Sequence, residues 1–518
     1  MMKKNVILLC VAILGTILTG CASATPSTGQ QGIEQNESGN SSSSAGIFDD
    51  SMGEEELYID DTNASPAEIF DYSIVGGEVC IYDLLDTSLT EIRIPGRIEG
   101  CLVTSIGDEA FCGSESLTDL VIPCSVRNIG NYAFSGLYQL ENVELPDSVT
   151  NIGSGAFDGT PWFAQQIKDK DFLVLGGGVL CWVSQRISGE FVIPDDVTSI
   201  AGSAFGYCNG ITSIEVPKSV TSIGERAFCG APFLESIEIP NSVTSIGLKA
   251  FDGTHWFEQQ TENKDYLVLG DGVLCWVSKD VSGEFVVPDG VKSISDRAFD
   301  ECKNITSIEI SASVTSIGDG AFYYCSSLTD IKIPTSVMSI GDGAFRGCSG
   351  LTEIKFPDSL MSMSMAGRAF ADCTGLQSIE IPGCVTRIGT YTFEGCESLT
   401  NVEIPNSVTR IDARAFEGCT SLANIKIPSS VMSIGNCAFR GCSSLTSIEI
   451  SDGVKSIGDE VFDDCTSLTD IEIPSSVTNI SQNAFKKWDS LTSITVSGGS
   501  YAEQWANDNG YSDILVVK

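Results

Sequence analysis

Groups able to carry out acid–base or nucleophilic chemistry are scarce in this sequence. Among 518 residues there is one histidine, His255, so any Ser-His-Asp or Cys-His arrangement would have to use it. The segment around His255 occurs twice in the chain, and the matching residue in the other copy is Pro161. The local structure therefore does not require an imidazole, and we expect no catalytic residues. A pair of carboxylates, as in glycan hydrolases, stays open because spacing alone cannot pair the 69 acidic residues.

Glycine-rich segments and net charge exclude two further kinds of chemistry. Residues 341–347 read Gly-Asp-Gly-Ala-Phe-Arg-Gly, which approaches a dinucleotide fingerprint, but the third glycine comes one residue late. Similar segments recur along the chain, which indicates a turn. The 29 basic and 69 acidic residues give a net charge of -40, which repels phosphate backbones. We expect no cofactor and no nucleic acid partner.

The 20 cysteines first suggest a disulfide framework, but their spacing argues against one. Nine of them follow a recurring phenylalanine by three residues: Cys208, Cys302, Cys325, Cys348, Cys373, Cys396, Cys419, Cys442 and Cys465. Side chains in register on stacked strands lie about 4.8 Å apart, whereas the Cβ atoms of a disulfide lie about 3.8 Å apart and face each other. We therefore expect buried free thiols that act as small apolar groups. A single column of this kind cannot surround a tetrahedral ion, so we expect no metal site.

The N-terminal residues indicate export. Two lysines precede an almost continuous apolar run that ends just before Cys21. Residues 18–21, Leu-Thr-Gly-Cys, resemble the lipobox of bacterial lipoproteins; this resemblance implies a signal peptide over 1–20, acylation of Cys21 and membrane attachment through lipid only. The alternative is a plain cleaved signal with an incidental cysteine. Residues 21–61 are rich in Ser, Gly and acidic side chains, which predicts a flexible tether.

A repeating unit accounts for most of the remaining chain. Ala-Phe or a close variant recurs with its phenylalanine at positions 111, 134, 157, 205, 228, 251, 299, 322, 345, 370, 393, 416, 439, 462 and 485. Eleven of the fourteen steps between them are 23 residues, two are 48 and one is 25. A fixed period of this size predicts a solenoid, in which each unit covers the apolar face of the next.

The unit at residues 327–348 shows the expected local structure. Ile331 and Ile333 predict a short strand with outward-facing residues between them, and Pro334 ends that strand. Ile340 marks a second inward-pointing edge, followed by glycines that permit a bend. Each coil is therefore expected to contribute two short extended segments and a buried phenylalanine.

The order Leu/Ile, Ile-x-Ile-Pro, Val-x-x-Ile-Gly and Ala-Phe resembles the BspA-like leucine-rich repeats of surface proteins over roughly residues 70–497. The resemblance implies a repeat solenoid of mostly short parallel β-strands with turns and short helical segments. We expect an N-terminal capping unit over 62–110 and the leucine-rich repeat solenoid over 111–497. A C-terminal cap over 498–518 should contain a closing helix that Ser500 caps.

The two 48-residue steps contain near-duplicate inserts at about 159–194 and 253–288. Within them, residues 172–183 and 266–277 are apolar or alternating on both sides of a glycine-rich turn. This pattern predicts one β-hairpin in each insert.

Tryptophan is confined to the inserts and the closing end. Aromatic side chains on loops of a rigid scaffold commonly anchor protein or sugar ligands, and the Trp-Phe pairs at the start of the inserts follow turns. We therefore predict ligand contacts from the insert aromatics Trp162, Phe163, Trp256, Phe257, Trp182 and Trp276. The alternative for Trp182 and Trp276 is that they cover the hairpins that carry them.

The outward position of the Ile-x-Ile-Pro strand predicts a stripe of both charge signs, which serves solubility, recognition or both. Its members are Glu309, Lys332, Lys355, Glu380, Glu403, Lys426, Glu449 and Glu472.

Together these features predict a non-catalytic, monomeric scaffold, attached by lipid to the outside of a bacterial cell envelope. The family resemblance implies adhesion to host, matrix or microbial surface proteins, or to glycans. The alternatives are a passive envelope spacer without a specific ligand and, as a third reading, a glycan hydrolase.

Overall fold

The computed structural model describes residues 61, 63–75, 77–363, 365, 367–486 and 488–518. Within these residues the chain winds into successive coils, and most coils contribute one short strand to each of two parallel ladders. This architecture is the repeat solenoid that the 23-residue period predicts. The predicted signal peptide, Cys21 and almost all of the predicted tether lie outside the described residues.

Ladder A is built around the first isoleucine of the Ile-x-Ile-Pro motif. Its strands pair in register across a full repeat, for example Ile308 with Ile331 and Glu309 with Lys332. The central residue is buried and its two neighbours are exposed, because side chains alternate across a strand. The strands of ladder A are Glu91–Arg93, Asp119–Val121, Asn142–Glu144, Ser188–Val192, Gly210–Glu215, Ser236–Glu238, Gly283–Val286, Ile305–Glu309, Asp330–Lys332, Glu353–Ile354, Ser378–Glu380, Asn401–Glu403, Asn424–Ile427, Ser447–Ile450, Asp470–Ile473, Ser493–Val496 and Leu515–Val517.

Ladder B is built around the isoleucine of the Val-x-x-Ile-Gly motif. Between the two ladders the chain turns at the proline, whose carbonyl accepts a hydrogen bond from the following valine, as in Val337 N to Pro334 O at 3.1 Å. The strands on this side are Phe70–Val75, Glu78–Leu84, Arg97–Ile98, Cys101–Ile106, Asn128–Ile129, Asn151–Ile152, Phe172–Leu175, Val179–Val183, Ser199–Ile200, Ser222–Ile223, Ser245–Ile246, Tyr266–Leu269, Val273–Val277, Ser293–Ile294, Ser316–Ile317, Ser339–Ile340, Ser362–Met363, Arg387–Ile388, Arg410–Ile411, Ser433–Ile434, Ser456–Ile457 and Asn479–Ile480.

The repeat phenylalanines form a column of stacked rings in the core. From Phe322 to Phe462 successive ring centroids lie 5.1–5.9 Å apart with interplanar angles of at most 19°. The cysteine three residues later is also buried, and its thiol donates to the carbonyl of the preceding coil's phenylalanine, as in Cys348 Sγ to Phe322 O at 3.2 Å. Because each ring packs mainly on its two neighbours, the core is a one-dimensional stack.

Both inserts contain the predicted hairpin. Phe172–Leu175 pairs antiparallel with Val179–Val183, and Tyr266–Leu269 pairs in the same way with Val273–Val277. The second strand of each hairpin then continues ladder B, because Leu180 pairs with Ile200 of the next coil. The hairpin is therefore an elaboration of a coil that remains part of the stack.

Each insert also contains a short helix, which the sequence pattern did not indicate. Helix α1 spans Pro161–Ile167 and helix α2 spans His255–Thr261. Each helix follows the last strand of a run in ladder A, and ladder A resumes only after the hairpin. The inserts thereby interrupt ladder A at two places.

The two ends of the described chain carry different elements. At the start, the 3-10 turn Ala67–Ile69 leads into an antiparallel pair, Phe70–Val75 with Glu78–Leu84. At the other end, helix α3 spans Tyr501–Asp508. The 3-10 turn Ser512–Ile514 and the last strand of ladder A follow it.

Ser500 is the N-cap of helix α3, as the sequence indicated. The Ser500 hydroxyl accepts from Glu503 N at 3.2 Å, and the Glu503 carboxylate accepts from Gly499 N at 2.6 Å. Across the part of the chain that the structure describes, no helix is both long and apolar enough to cross a bilayer.

Candidate functional site

Trp162 and Trp256 lie in the core, so the prediction that they are displayed for a ligand is wrong. Only 8% of Trp162 and 6% of Trp256 is exposed. Each indole packs on the last phenylalanine of a column, at 4.9 Å between ring centroids for both Phe157 with Trp162 and Phe251 with Trp256. The cause is that each insert begins with a helix, α1 or α2, where the next strand of ladder A would otherwise lie. The tryptophan of that helix therefore covers the end of the ring column.

The other four predicted aromatic residues are half-buried. Phe257 of helix α2 meets Trp276 of the hairpin edge-on, with ring centroids 6.2 Å apart. Phe163 and Trp182 have the same intermediate exposure at the equivalent places of the first insert. The contact of Trp276 with Phe257 fits the alternative in which this tryptophan covers its own hairpin.

The helix that holds Trp256 depends on its N-cap. The Thr254 hydroxyl accepts from Phe257 N at 3.1 Å and donates to Phe251 O at 2.8 Å, and the side chain is fully buried. We expect Thr254→Ala to lower the free energy of unfolding by about 1–2 kcal/mol, because it removes both hydrogen bonds at a buried helix terminus. Urea unfolding monitored by circular dichroism measures this change. Thr352→Ala, at an exposed position just before a strand of ladder A, is the matched control and should change stability by less than about 0.5 kcal/mol. Equal losses in the two variants would contradict the capping role.

The outward face of ladder A is a regular exposed surface. Lys332 Nζ lies 3.3 Å from Glu309 of the preceding coil, and Lys426 Nζ lies 2.6 Å from Glu449 of the following coil. These four side chains are 50–66% exposed. The predicted mixed-sign stripe is therefore present as a set of exposed ion pairs between coils.

Other positions of the stripe are arranged differently. Lys355 pairs with Glu353, which lies two residues earlier in the same coil, at 3.7 Å. Glu380 and Glu403 stand directly opposite each other in register, which places two carboxylates side by side. The stripe thus contains ion-paired segments, around the three lysines, and one segment of negative charge at Glu380 and Glu403.

Two shallow grooves lie on this same face. The larger has a volume of about 400 Å³, and Val286, Glu309 and Lys332 are among the residues that line it. The smaller, of about 140 Å³, lies over the first strands, beside Arg93 and Glu144. Both grooves are open to solvent, so each can receive a side chain or a loop of a partner.

Val192 and Val286 are exposed apolar residues that the sequence reading did not select. They occupy equivalent outward positions in the two inserts and are 56% and 58% exposed. Most other coils carry Glu or Lys at this outward position, although Val121 occupies it in one plain unit and Arg93 in the leading unit. That change of residue type within an otherwise regular pattern is the signal that could have identified them.

The histidine and the buried cysteines, which the sequence offered as possible reactive groups, lie in different parts of the structure. The His255 imidazole lies on the surface of helix α2, 3.5 Å from the Glu258 carboxylate. Burial raises the pKa of the Cys373 thiol and of the Cys465 thiol to about 12, so these groups remain protonated and unreactive at neutral pH. In the residues that the structure describes, His, Cys, Asp and Glu side chains form no group of three or more suited to a metal. Cys21 lies outside those residues.

Known proteins similar to this chain are leucine-rich repeat proteins. A family described as "BspA type Leucine rich repeat region" matches in six copies, over residues 84–170, 184–266, 278–400 and 386–506. A leucine-rich repeat protein from Bacteroides ovatus is 27% identical, with 87% of this chain and 97% of that chain covered and a TM-score of 0.40. A leucine-rich cell surface protein from Faecalibacterium prausnitzii is 28% identical, with 66% and 94% covered and a TM-score of 0.30.

A third solved structure, a leucine-rich repeat protein from Eubacterium ventriosum, is 24% identical, with 72% of this chain and 92% of that chain covered and a TM-score of 0.33. No curated protein matches the chain. The family match covers most of the chain and coincides with the coils described above. The chain therefore belongs to the BspA-type leucine-rich repeat family.

Proposed function

We propose that this protein is a non-catalytic scaffold on the outside of the bacterial envelope, attached through lipid on Cys21, and that it binds protein partners through the outward face of ladder A. The observation that carries the proposal is the in-register array of exposed, mixed-charge side chains on that face. The family match and the cell-surface description of the Faecalibacterium prausnitzii protein support the location and the general role.

The regular backbone makes this face suitable for binding a macromolecule. Stacked coils hold the outward side chains on a rigid surface, so little backbone entropy is lost when a partner binds. The exposed ion pairs of the stripe contribute about 0–1 kcal/mol each to folding. Lys332 and Lys426 can therefore exchange their glutamate partners for carboxylates of a ligand at small cost to stability.

The groove beside Val286 gives this face an apolar contact point. Val286 lies next to Glu309 and Lys332 in the lining of the groove, so an apolar residue and both charge signs are presented together. Protein interfaces commonly combine an apolar centre with a charged rim. A host, matrix or microbial surface protein with a complementary surface is the proposed partner.

The proposal predicts that reversing two lysines of the stripe weakens partner binding. The purified full chain is immobilised and exposed to matrix proteins, host-cell surface extracts and extracts of other bacteria, and saturable partners are identified by mass spectrometry. For such a partner, Lys332→Glu with Lys426→Glu should raise the Kd about tenfold, equivalent to about 1.4 kcal/mol. Higher salt should also weaken the binding of the unmodified protein.

A matched control changes the same charge elsewhere. Lys170→Glu with Lys264→Glu alters two exposed lysines at equivalent positions of the inserts, and it should leave the Kd within about twofold. Equal weakening by both pairs would place binding outside ladder A. Failure to capture any saturable partner would favour the passive spacer, and turnover of a glycan substrate by the purified chain would favour the hydrolase.

A further inference from the structure

Several coils carry an aspartate in the turn that comes directly after their strand of ladder B, and these aspartates form a row. Asp319 N donates to the Asp296 carboxylate at 2.8 Å, and Asp342 N donates to the Asp319 carboxylate at 2.7 Å. Gly367 N then donates to the Asp342 carboxylate at 3.0 Å. Asp296 and Asp319 are half-buried and Asp342 is 4% exposed. The backbones of neighbouring coils are thus joined through acidic side chains.

The first insert brings the turns of its two flanking coils together. Strand Val179–Val183 runs straight where other coils turn, and the turns of the two flanking coils close over it. Gly202 N donates to Ile152 O at 3.3 Å, and the hydroxyls of Ser154 and Ser203 lie 2.6 Å apart. Turns that belong to coils on opposite sides of the insert are therefore in direct contact.

The second insert repeats this arrangement, because Ser295 Oγ donates to Ile246 O at 2.8 Å. As a result, carboxyl groups that are distant in sequence approach one another. Asn131 Nδ2 donates to both the Asp108 carboxylate at 3.4 Å and the Glu225 carboxylate at 3.2 Å. We call Asp108, Glu225, Asp296, Asp319 and Asp342 the acidic edge.

Few opposite charges face the acidic edge. Arg226 lies 3.5 Å from Glu225, and Arg297 interacts with Asp296. Glu109 adds a further negative charge beside Asp108. The negative charge of Asp108 also repels that of Asp319, and the charge of Glu225 repels those of both Asp108 and Asp296. Negative charge therefore predominates at a place where the coils are in contact.

As a consequence, carboxyl groups of the acidic edge keep their protons to higher pH in the folded protein than in the unfolded chain. Burial, reinforced by neighbouring carboxylates, raises the pKa of Asp108 and of Asp296 to about 6, although backbone hydrogen bonds oppose the shift. Burial, followed by the charges of Asp296 and Asp342, raises the pKa of Asp319 well above its ordinary value. In the unfolded chain the pKa of an aspartate is about 3.9.

The sign of the pH dependence follows from this difference. Between about pH 4 and about pH 6 the folded state binds more protons than the unfolded state, so stability rises as the pH falls through this window. Asp319 extends the window to higher pH. Conversely, stability is lost as the pH rises and the edge becomes charged.

We propose that the acidic edge is a pH-sensitive element of the solenoid: proton uptake at mildly acidic pH tightens the contacts between coils, including those across both inserts, and proton loss near neutral pH loosens them. An ionisable group is not needed for the hydrogen bond itself. Asn436 makes the same bond, accepting from Asp459 N at 2.8 Å, and Asn131 accepts from Ser154 N at 2.7 Å. The aspartates therefore add a dependence on pH to a contact that asparagine makes without one.

The test measures thermal unfolding of the purified full chain from about pH 5 to about pH 8. The unmodified protein should unfold at lower temperature as the pH rises. Asp296→Asn with Asp319→Asn should reduce that slope by at least about half and raise the Tm near pH 8, because the amides keep the acceptors and remove the charges. Asp330→Asn with Asp470→Asn removes the same formal charge from the exposed face of ladder A and should keep the original slope.

A second measurement covers the case in which the double variant does not fold. Amide hydrogen exchange of the unmodified chain, corrected for intrinsic rates, should show stronger protection of Asp319 N and Asp342 N at about pH 5.5 than at about pH 7.5. A Tm that is constant or rises with pH, an unchanged slope in Asp296→Asn with Asp319→Asn, or pH-independent protection would each overturn the proposal.

Discussion

Replacing Phe345 by alanine is expected to lower the free energy of unfolding by about 3–5 kcal/mol. The ring is fully buried and stacks between Phe322 and Phe370, with centroids 5.4 Å and 5.5 Å away. Removing it leaves a cavity that neighbouring rings cannot fill, because the ladders on both sides fix the spacing of the coils. The loss should begin locally, since each coil is stabilised mainly by its neighbours.

Urea unfolding gives the total loss for Phe345→Ala, and hydrogen exchange shows where it begins. Protection should fall first in the coils that carry Phe322 and Phe370, and only later in distant coils. Tyr138→Ala removes an aromatic ring that is 71% exposed, and it should cost less than about 0.5 kcal/mol. A uniform loss of protection along the chain, or similar costs for the two variants, would contradict a core built as a stack.

The second large effect is expected at the glycine that follows the isoleucine of ladder B. A Cβ added to Gly435 would lie 2.5 Å from both Ala413 N and Asp412 C, which are backbone atoms of the preceding coil. Gly435 N also donates to Ile411 O at 2.8 Å, so the two backbones cannot separate without breaking a ladder contact. We expect Gly435→Ala to lower the free energy of unfolding by about 3 kcal/mol.

Gly383 provides the matched control for this substitution. No heavy atom lies within 4 Å of a Cβ added there, so Gly383→Ala should change stability by less than about 0.5 kcal/mol. Chemical unfolding of both variants under identical conditions makes the comparison. A Gly435→Ala protein as stable as the Gly383→Ala protein would show that the coils are not in backbone contact at this edge.

The features that repeat with the 23-residue period could be predicted from the sequence. The spacing predicts correctly the buried positions of Ile331, Ile340, Phe345 and Cys348. It does so because each coil repeats the same apolar residues and turn residues in the same order. The insert hairpins and the cap at Ser500 were also predictable. They depend on turn glycines and on a side-chain hydrogen bond, which are local in the chain.

The features that depend on contacts between distant coils could not be predicted. Trp162 follows a turn, which suggested exposure, but its burial depends on a ring column that ends beneath it. The seven-residue helix α1 is too short to give a recognisable period. The contact of Asn131 with Glu225, 94 residues away, arises only because the first insert brings its flanking turns together.

The stacking of coils in register is tested most directly by the reactivity of the buried thiols. Native full-length protein is treated with iodoacetamide and the modified cysteines are identified by mass spectrometry. Cys348, Cys396 and Cys419 are fully buried, and their thiols donate to the phenylalanine carbonyls of preceding coils at 3.1–3.2 Å. They should remain unmodified until the protein is unfolded, whereas the exposed Cys112 should react at once. Modification of the column at the rate of Cys112, or recovery of its cysteines as disulfides, would contradict the stacked core.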